Sequence, residues 1–288
     1  MPFHKPTRAD LLNAALLGVG AAFPMVATGF IYATFIEPNW IELCEVPLTL
    51  PRLESQFDGY RIVHISDIHA GKWMPQDRLD RIVEMVNEQQ PDLIAITGDF
   101  VTRTYRKAPV DIAPTMRKLQ AKDGVVAVLG NHDYWGGRGP GQMRRVIRLS
   151  RMIDLNNKVH ILERDGALLN IAGVDSARAR KARLDLVLKA LPQDGCAILL
   201  AHEPDFADKS ARTGRFDLQI SGHSHGGQVR LPVLPPPRLP PMGRKYHTGL
   251  YRVGDMIQYT NRGLGVVGLP FRFWSRPEIT VFTLHAHR

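Results

Sequence analysis

The chain has 288 residues, of which 44% are hydrophobic and 23% charged, a composition that fits a folded protein with one large domain plus an appendage and excludes a disordered or fibrous chain. Its two cysteines, Cys44 and Cys196, exclude a disulfide framework and a paired C-x-x-C metal site, so any metal must be held by His, Asp and Asn. A net charge of +9 and an isoelectric point near 9.8 favour an anionic partner such as phospholipid, nucleic acid or a phosphorylated substrate, without choosing among them.

Residues 1–10 form a basic tail. From Leu11 to Ile36 no residue is charged, and at ~1.5 Å per helical residue this run exceeds the ~30 Å hydrocarbon core of a bilayer. Residues 11–36 therefore read as a transmembrane anchor or uncleaved signal, with a cleaved signal peptide and a buried core helix as the alternatives. The length argues against a core helix, and no A-x-A site marks a cleavage point. The stretch Thr7-Arg8-Ala9-Asp10-Leu11-Leu12 resembles a twin-arginine export signal that lacks its second arginine. Lys5 and Arg8 precede the run and Glu37 is the first charge after it. By the positive-inside tendency, this expects a single-pass protein of the cell membrane whose large domain, 37–288, lies outside the cytoplasm.

Past this segment, Trp40 to Leu53 alternates enough to be a strand, which Pro47 and Pro51 confine to an edge. A repeating pattern follows. The strand "RIVHIS" leads to Asp67, "QDRLDRIVEMVNEQQ" has helical spacing, "DLIAIT" is a β-rich run, and "APTMRKLQA" is helical before the strand "GVVAVLG". Strands alternating with helices predict βαβ units around a parallel sheet. Further on come the strand "GALLNIAG", the helix "ARLDLVLKAL", and the strands "CAILLAH" and "FDLQISG". The strands "IQYTNRG" and "ITVFTL" have no helix between them, which predicts an antiparallel tail. The Pro-rich stretch from Leu231 to Lys245 reads as an extended, semi-rigid loop.

Five of these strands end in polar clusters: Asp67 and His69 in "SDIH", Asp99 in "TGDF", Asn131 and His132 in "LGNHD", His202 in "LAHEP", and His223 and His225 in "SGHSH". Taken alone, each is explained by turn chemistry or a satisfied histidine. Together they fall at C-terminal strand ends, where open α/β sheets gather their ligands. Gly98, Gly130 and Gly222 beside them permit sharp turns and close backbone approach.

From about Arg61 to Glu278 the chain resembles the calcineurin-like metallophosphoesterase family, whose ordered signature D-x-H, G-D, G-N-H-[DE], H and G-H-x-H stands here as Asp67-Ile68-His69, Gly98-Asp99, Gly130-Asn131-His132-Asp133, His202 and Gly222-His223-Ser224-His225. "GHSHGGQVRLP" and "NRGLG…RPEI" resemble its membrane-anchored or exported bacterial branch. The resemblance implies an α/β fold, a four-layer αββα sandwich. It also implies one metal held by Asp67, His69 and His225, a second by Asn131, His202 and His223, and Asp99 bridging the two. Imidazole, carboxylate and amide donors without thiolate suit two divalent transition-metal ions such as Mn, Fe or Zn. The resemblance places His132 as a general acid for the leaving group. Asp133 beside it either orients its ring or is a plain loop carboxylate. Arg103 and Arg106 either grip a substrate phosphate or are solvated loop charges.

The expected activity is metal-dependent hydrolysis of a phosphodiester or pyrophosphate bond in an envelope lipid or nucleotide-lipid. UDP-2,3-diacylglucosamine is one candidate, although a cytosolic substrate conflicts with the expected topology. A nuclease is the second reading, supported by basic charge alone and by no aromatic-interleaved basic groove; nucleic acid is not the first-choice partner. A non-catalytic scaffold would be expected to lose ligands, and all seven are present. In the stretch Leu264 to Glu278, Val266, Val267, Leu269, Phe271, Phe273 and Trp274 crowd around Gly268 and Pro270 beside Arg272 and Arg276. That composition suits either a segment seated at a lipid interface or a loop folded back into the core.

Overall fold

The computed structural model describes Arg8 and residues 26–102, 111–135 and 139–287. In chain order the strands are β1 (Glu42–Leu50), β2 (Tyr60–Ile65), β3 (Leu93–Thr97), β4 (Val125–Val128), β5 (Ile153–Asp154), β6 (Lys158–Arg164), β7 (Ala167–Gly173), β8 (Cys196–Leu200), β9 (Leu218–Ser221), β10 (Gly249–Val253), β11 (Met256–Thr260) and β12 (Glu278–Ala286). They form two mixed six-stranded sheets, ordered β1-β12-β2-β3-β4-β5 and β10-β11-β9-β8-β7-β6. In the first sheet β2 to β5 are parallel, and β12 lies antiparallel to β2. β1 is an edge strand, as its prolines require: Pro47 lies opposite Thr283 of β12, the one neighbour of β1 among the described residues, so the missing N–H is tolerated. In the second sheet β7, β8, β9 and β11 are parallel, with antiparallel hairpins β6–β7 and β10–β11 at its two edges.

The two-residue period of the strands divides the apolar residues among three cores. In β3, Leu93 and Ala95 face the second sheet and pack with Leu169, Ile198 and Leu218. Ile94 and Ile96 face the other way, onto Leu79, Ile82 and Val86 of the helix Gln76–Glu88. On the far side of the second sheet, Ala197 and Leu199 pack with Leu184 and Val187 of the helix Leu184–Ala190. The result is the four-layer αββα arrangement, each fully buried large aliphatic side chain contributing about 1.5–3 kcal/mol. The helix Gln76–Glu88 forms because Leu79, Ile82, Val83 and Val86 recur at i, i+3, i+4 and i+7. It starts after Pro75 with Asp77 in its first turn, and it stops where Gln90 turns left-handed at φ 50°.

Several elements differ from expectation. The stretch "APTMRKLQA" is helical only over Ala113–Met116. The strands β5, β6 and β10 and the helix Gly139–Leu149 were not anticipated. That helix opens on Gly139-Pro140-Gly141, which reads as a turn, and β6 has the half-exposed alternation of an edge.

The expected membrane-spanning run lies outside the described residues as far as residue 25. Residues 26–31 are helical and continue into a π-helical turn, Tyr32–Ile36. Among the described residues no helix is long and apolar enough to cross a membrane. Glu37 is fully buried and accepts hydrogen bonds from the backbone amides of Trp274 (2.9 Å) and Ser275 (2.5 Å), while Arg272 N donates to Ala33 O at 2.9 Å. The end of the apolar run is thereby fastened to the loop before β12.

Candidate metal centre

The two sheets bring their C-terminal ends to one place. The first sheet supplies Asp67 and His69 after β2, Asp99 after β3, and Asn131 and His132 after β4. The second supplies His202 after β8, and His223 and His225 after β9. All are buried. The titratable members form three overlapping groups able to hold a metal ion: Asp67, His69 and His225; His69, Asp99 and His132; and Asp99, His202 and His223. His69 Nε2 lies 3.1 Å from His225 Nε2, 3.6 Å from Asp99 Oδ2 and 3.8 Å from Asp67 Oδ1. His202 Nε2 lies 3.2 Å from the same Asp99 Oδ2 and 3.2 Å from His223 Nδ1.

Each carboxylate divides its oxygens between the backbone and the cluster. Asp67 Oδ2 accepts from His223 N and Asp99 Oδ1 from His132 N, both at 2.8 Å. Asp67 Oδ1 and Asn131 Oδ1 are buried and accept no hydrogen bond, a costly arrangement for oxygens that face no cation. Backbone carbonyls settle two of the imidazoles, since a carbonyl can only accept. His202 Nδ1 faces Thr97 O at 2.6 Å, and His223 Nε2 faces Pro241 O at 3.0 Å. In the neutral rings the lone pairs therefore fall on His202 Nε2 and His223 Nδ1, the two nitrogens turned toward each other. This donor set fits a divalent transition metal.

Protonation agrees with ligation. Burial opposes a charge on Asp67, yet His225, His202 and His69 hold its carboxyl well below the usual carboxylate range. Asp99 is likewise lowered against its burial, chiefly by His202. Burial drives the His69 imidazole down to about 3 and lowers His223, keeping both neutral. Burial also works against a charge on His202, but the adjacent Asp99 carboxylate holds it well above the ordinary range. A metal taking its Nε2 lone pair would displace that proton.

The backbone is strained at five residues of the cluster. Asp67, His69, Asp99, His223 and His225 all have left-handed φ, between 48° and 70°, at a cost of about 1–3 kcal/mol for a non-glycine residue. Gly222 shows how tightly the loops meet: a Cβ there would overlap the Ser66 hydroxyl and the Asp67 carboxylate. Gly98, at φ 90°, would drive a Cβ into the backbone of Gly130.

His132 lies beside His69, ring centroids 4.8 Å apart and edge-on, and packs on Trp135 at 3.9 Å. Its Nδ1 faces Thr102 O at 2.9 Å, so the Thr102 carbonyl orients the ring. The expectation that Asp133 does so is corrected. Asp133 Oδ2 accepts from the amides of Asp99 and Gly130, both at 2.9 Å, and Oδ1 from Val101 N at 3.4 Å. It clips the loops after β3 and β4 together. Burial, with Asp99 second, pushes its carboxyl up to about 8. Arg103 and Arg106 lie outside the described residues.

Arg272 also departs from its expected place at a lipid interface. It is fully buried, and its guanidinium donates to the carbonyls of Arg262, Gly263, Gly265 and Ser275. One Nη reaches to 3.3 Å from His225 Nδ1. Gly265 N in turn donates to Asp67 O at 2.7 Å. The signal for this loop in the sequence was the glycine pair in "NRGLG"; nothing in its composition distinguished a buried arginine from an exposed one.

Two mixed sheets that gather aspartate, asparagine and histidine at a shared edge define a metal-dependent hydrolase of phosphate esters. The model of the calcineurin-like phosphoesterase family matches residues 60–227, and the chain belongs to that family. It is similar to an uncharacterised metallophosphoesterase of Bacillus subtilis, YkuE, at 35% identity over 97% of this chain and 98% of the relative. It is also similar to the phosphodiesterase YaeI of Escherichia coli, at 27% identity over 92% and 96%. A transmembrane protein with metallophosphoesterase domain from Danio rerio is 31% identical over 84% of this chain, which spans 57% of that relative.

Proposed function

We propose that the protein is a binuclear metallophosphoesterase, held in the cell membrane by residues 11–36, that cleaves a phosphodiester or pyrophosphate bond of a phosphorylated lipid outside the cytoplasm. The observation that carries the binuclear reading is the position of Asp99 Oδ2, between His69 Nε2 at 3.6 Å and His202 Nε2 at 3.2 Å. In this reading Asp67, His69 and His225 would hold one ion, Asn131, His202 and His223 the other, and Asp99 would serve both. Two divalent ions, of Mn, Fe or Zn character from the donor set, would supply Lewis-acid charge for phosphoryl oxygens and an activated water.

The chain's own residues do the rest. His132, its ring fixed by Nδ1 donating to Thr102 O, turns Nε2 to the departing oxygen and delivers a proton from that nitrogen when the ring is an imidazolium. Trp135 packs against the ring and keeps water from that side. Asp133 holds the Asp99 and Asn131 loops at fixed separation through their amides. The lipid reading draws on the uncharged run and on the relative whose name describes a transmembrane protein; a cytosolic nucleotide-lipid such as UDP-2,3-diacylglucosamine would become the substrate only with the orientation reversed. Full-length protein should hydrolyse bis-p-nitrophenyl phosphate, lose that activity on chelation and regain it with a transition metal. Activity unchanged after complete chelation would refute the reading.

A further inference from the structure

The apolar N-terminal run meets the domain at a surface built from three segments. Residues 26–36 bring Phe30 and Phe35, at 60% and 65% exposure. The loop before β12 brings Leu269 and Trp274, at 64% and 57%. The Pro-rich loop brings a tight turn, closed by pairing of Leu231 with Leu234, whose tip residue Val233 is completely exposed. Val233 is also left-handed at φ 59°, an unfavourable state for a β-branched residue.

The three segments are fastened to one another. Val229 pairs with Phe273, Arg230 N donates to Phe273 O at 2.8 Å, and the Gln228 amide donates to the carbonyls of Val267 and Leu269. The Tyr32 ring meets Phe273 edge-on at 6.2 Å, and Glu37 receives the amides of Trp274 and Ser275. Between them is an open cavity of about 420 Å³ whose lining includes Tyr32, Trp40, Trp274, Arg230 and Arg276, and two carboxylates already engaged: Glu37 by those amides and Glu42 by Arg262 at 3.0 Å. Arg276 stacks over Trp40 at 4.1 Å. Tryptophan and tyrosine beside arginine have the chemistry of the headgroup layer, with larger apolar side chains beyond it.

We infer that this composite face is the surface on which the protein sits against an anionic bilayer, with Val233, Leu234 and Leu269 at acyl depth and Trp40, Trp274, Arg230 and Arg276 among the headgroups. The occupant follows from the chain itself: an uncharged run long enough to span a bilayer ends on this face through residues 26–36. Exposed Arg238 in the Pro-rich loop adds positive charge toward anionic lipid. The inference rests on the membrane reading above and adds a consequence for the site. The loops that meet the lipid also fix metal ligands: Ser275 Oγ donates to His225 O at 2.8 Å, and Pro241 O receives His223 Nε2. Docking therefore holds these ligand loops next to the headgroup plane.

Full-length protein in vesicles of phosphatidylglycerol and phosphatidylethanolamine tests this with spin labels at Val233→Cys and Leu269→Cys. Leu186→Cys, exposed on the helix Leu184–Ala190 and outside all three segments, serves as the control. Cys44→Ser provides the background, since Cys196 is fully buried. The labels at 233 and 269 should lose most of their collisions with an aqueous nickel chelate while keeping those with dissolved oxygen; the label at 186 should keep both. Labels at 233 and 269 as open to the chelate as that at 186 would overturn the inference. So would labels shielded from both probes, which would mean that protein, such as residues 9–25, covers the face. The readout needs no turnover, so a protein that docks this way but spares every lipid phosphate would refute the substrate reading and leave the surface standing.

Discussion

Arg272→Met is expected to unseat the loop that backs the metal cluster. The guanidinium donates to the carbonyls of Arg262, Gly263, Gly265 and Ser275. Hydrogen bonds from a charged donor contribute about 1.5–3 kcal/mol each, and a buried acceptor left without a partner costs about 1–3 kcal/mol. Against this stands the recovered desolvation of the guanidinium, whose burial draws its pKa down to about 9. The balance resembles removal of one partner from a buried charge network, a loss of about 3–5 kcal/mol. For a domain of this size that lowers the unfolding midpoint by roughly 6–20 °C. Thermal unfolding of the full-length protein followed by near-ultraviolet circular dichroism measures it. Arg272→Lys should recover only part of the loss, because an ammonium cannot reproduce the planar fork. A midpoint for Arg272→Met within about 2 °C of the parent would show that these carbonyls are satisfied without Arg272.

Other substitutions address the site itself. Asp99→Ala should deplete both metal positions, whereas His225→Ala should deplete chiefly one; metal analysis showing full occupancy in Asp99→Ala would remove the bridge. His132→Ala should retain metal while lowering turnover by ~10²–10⁴-fold, with a smaller loss for nitrophenolate leaving groups, which hardly need a proton. An equal loss for good and poor leaving groups would make His132 a phosphate binder. Gly222→Ala forces a Cβ onto Ser66 and the Asp67 carboxylate. It should cost about 1–3 kcal/mol and weaken metal binding; a protein with unchanged melting and metal content would show that the loop has room.

The strand ends were readable because Asp67, Asp99, Asn131, His202 and His223 each interrupt an apolar run at its C-terminal end, a pattern that needs no tertiary information. The alternation in β3 that splits Leu93 and Ala95 from Ile94 and Ile96 likewise foretells two faces. What the sequence hides is direction. Asp133 follows His132 directly, yet its carboxylate points back to the amides of Asp99 and Gly130, and the ring is held instead by a carbonyl thirty residues away. Arg272 and Arg276 share one apolar stretch, but Arg272 is buried under the loop and Arg276 lies over Trp40. Of the apolar residues around them, Val266 is core while Leu269 and Trp274 are exposed, which composition alone cannot separate. Left-handed φ at five residues of the cluster is equally silent, since none of them is glycine.

The central claim is a cluster that binds two ions and needs both for hydrolysis. Chelator-stripped full-length protein titrated with one transition metal, with bis-p-nitrophenyl phosphate hydrolysis read at each addition, tests it most directly. About two equivalents should bind per chain, with activity climbing through the second as two-metal chemistry requires. Full activity at one equivalent, with no further ion bound by folded protein, would contradict it.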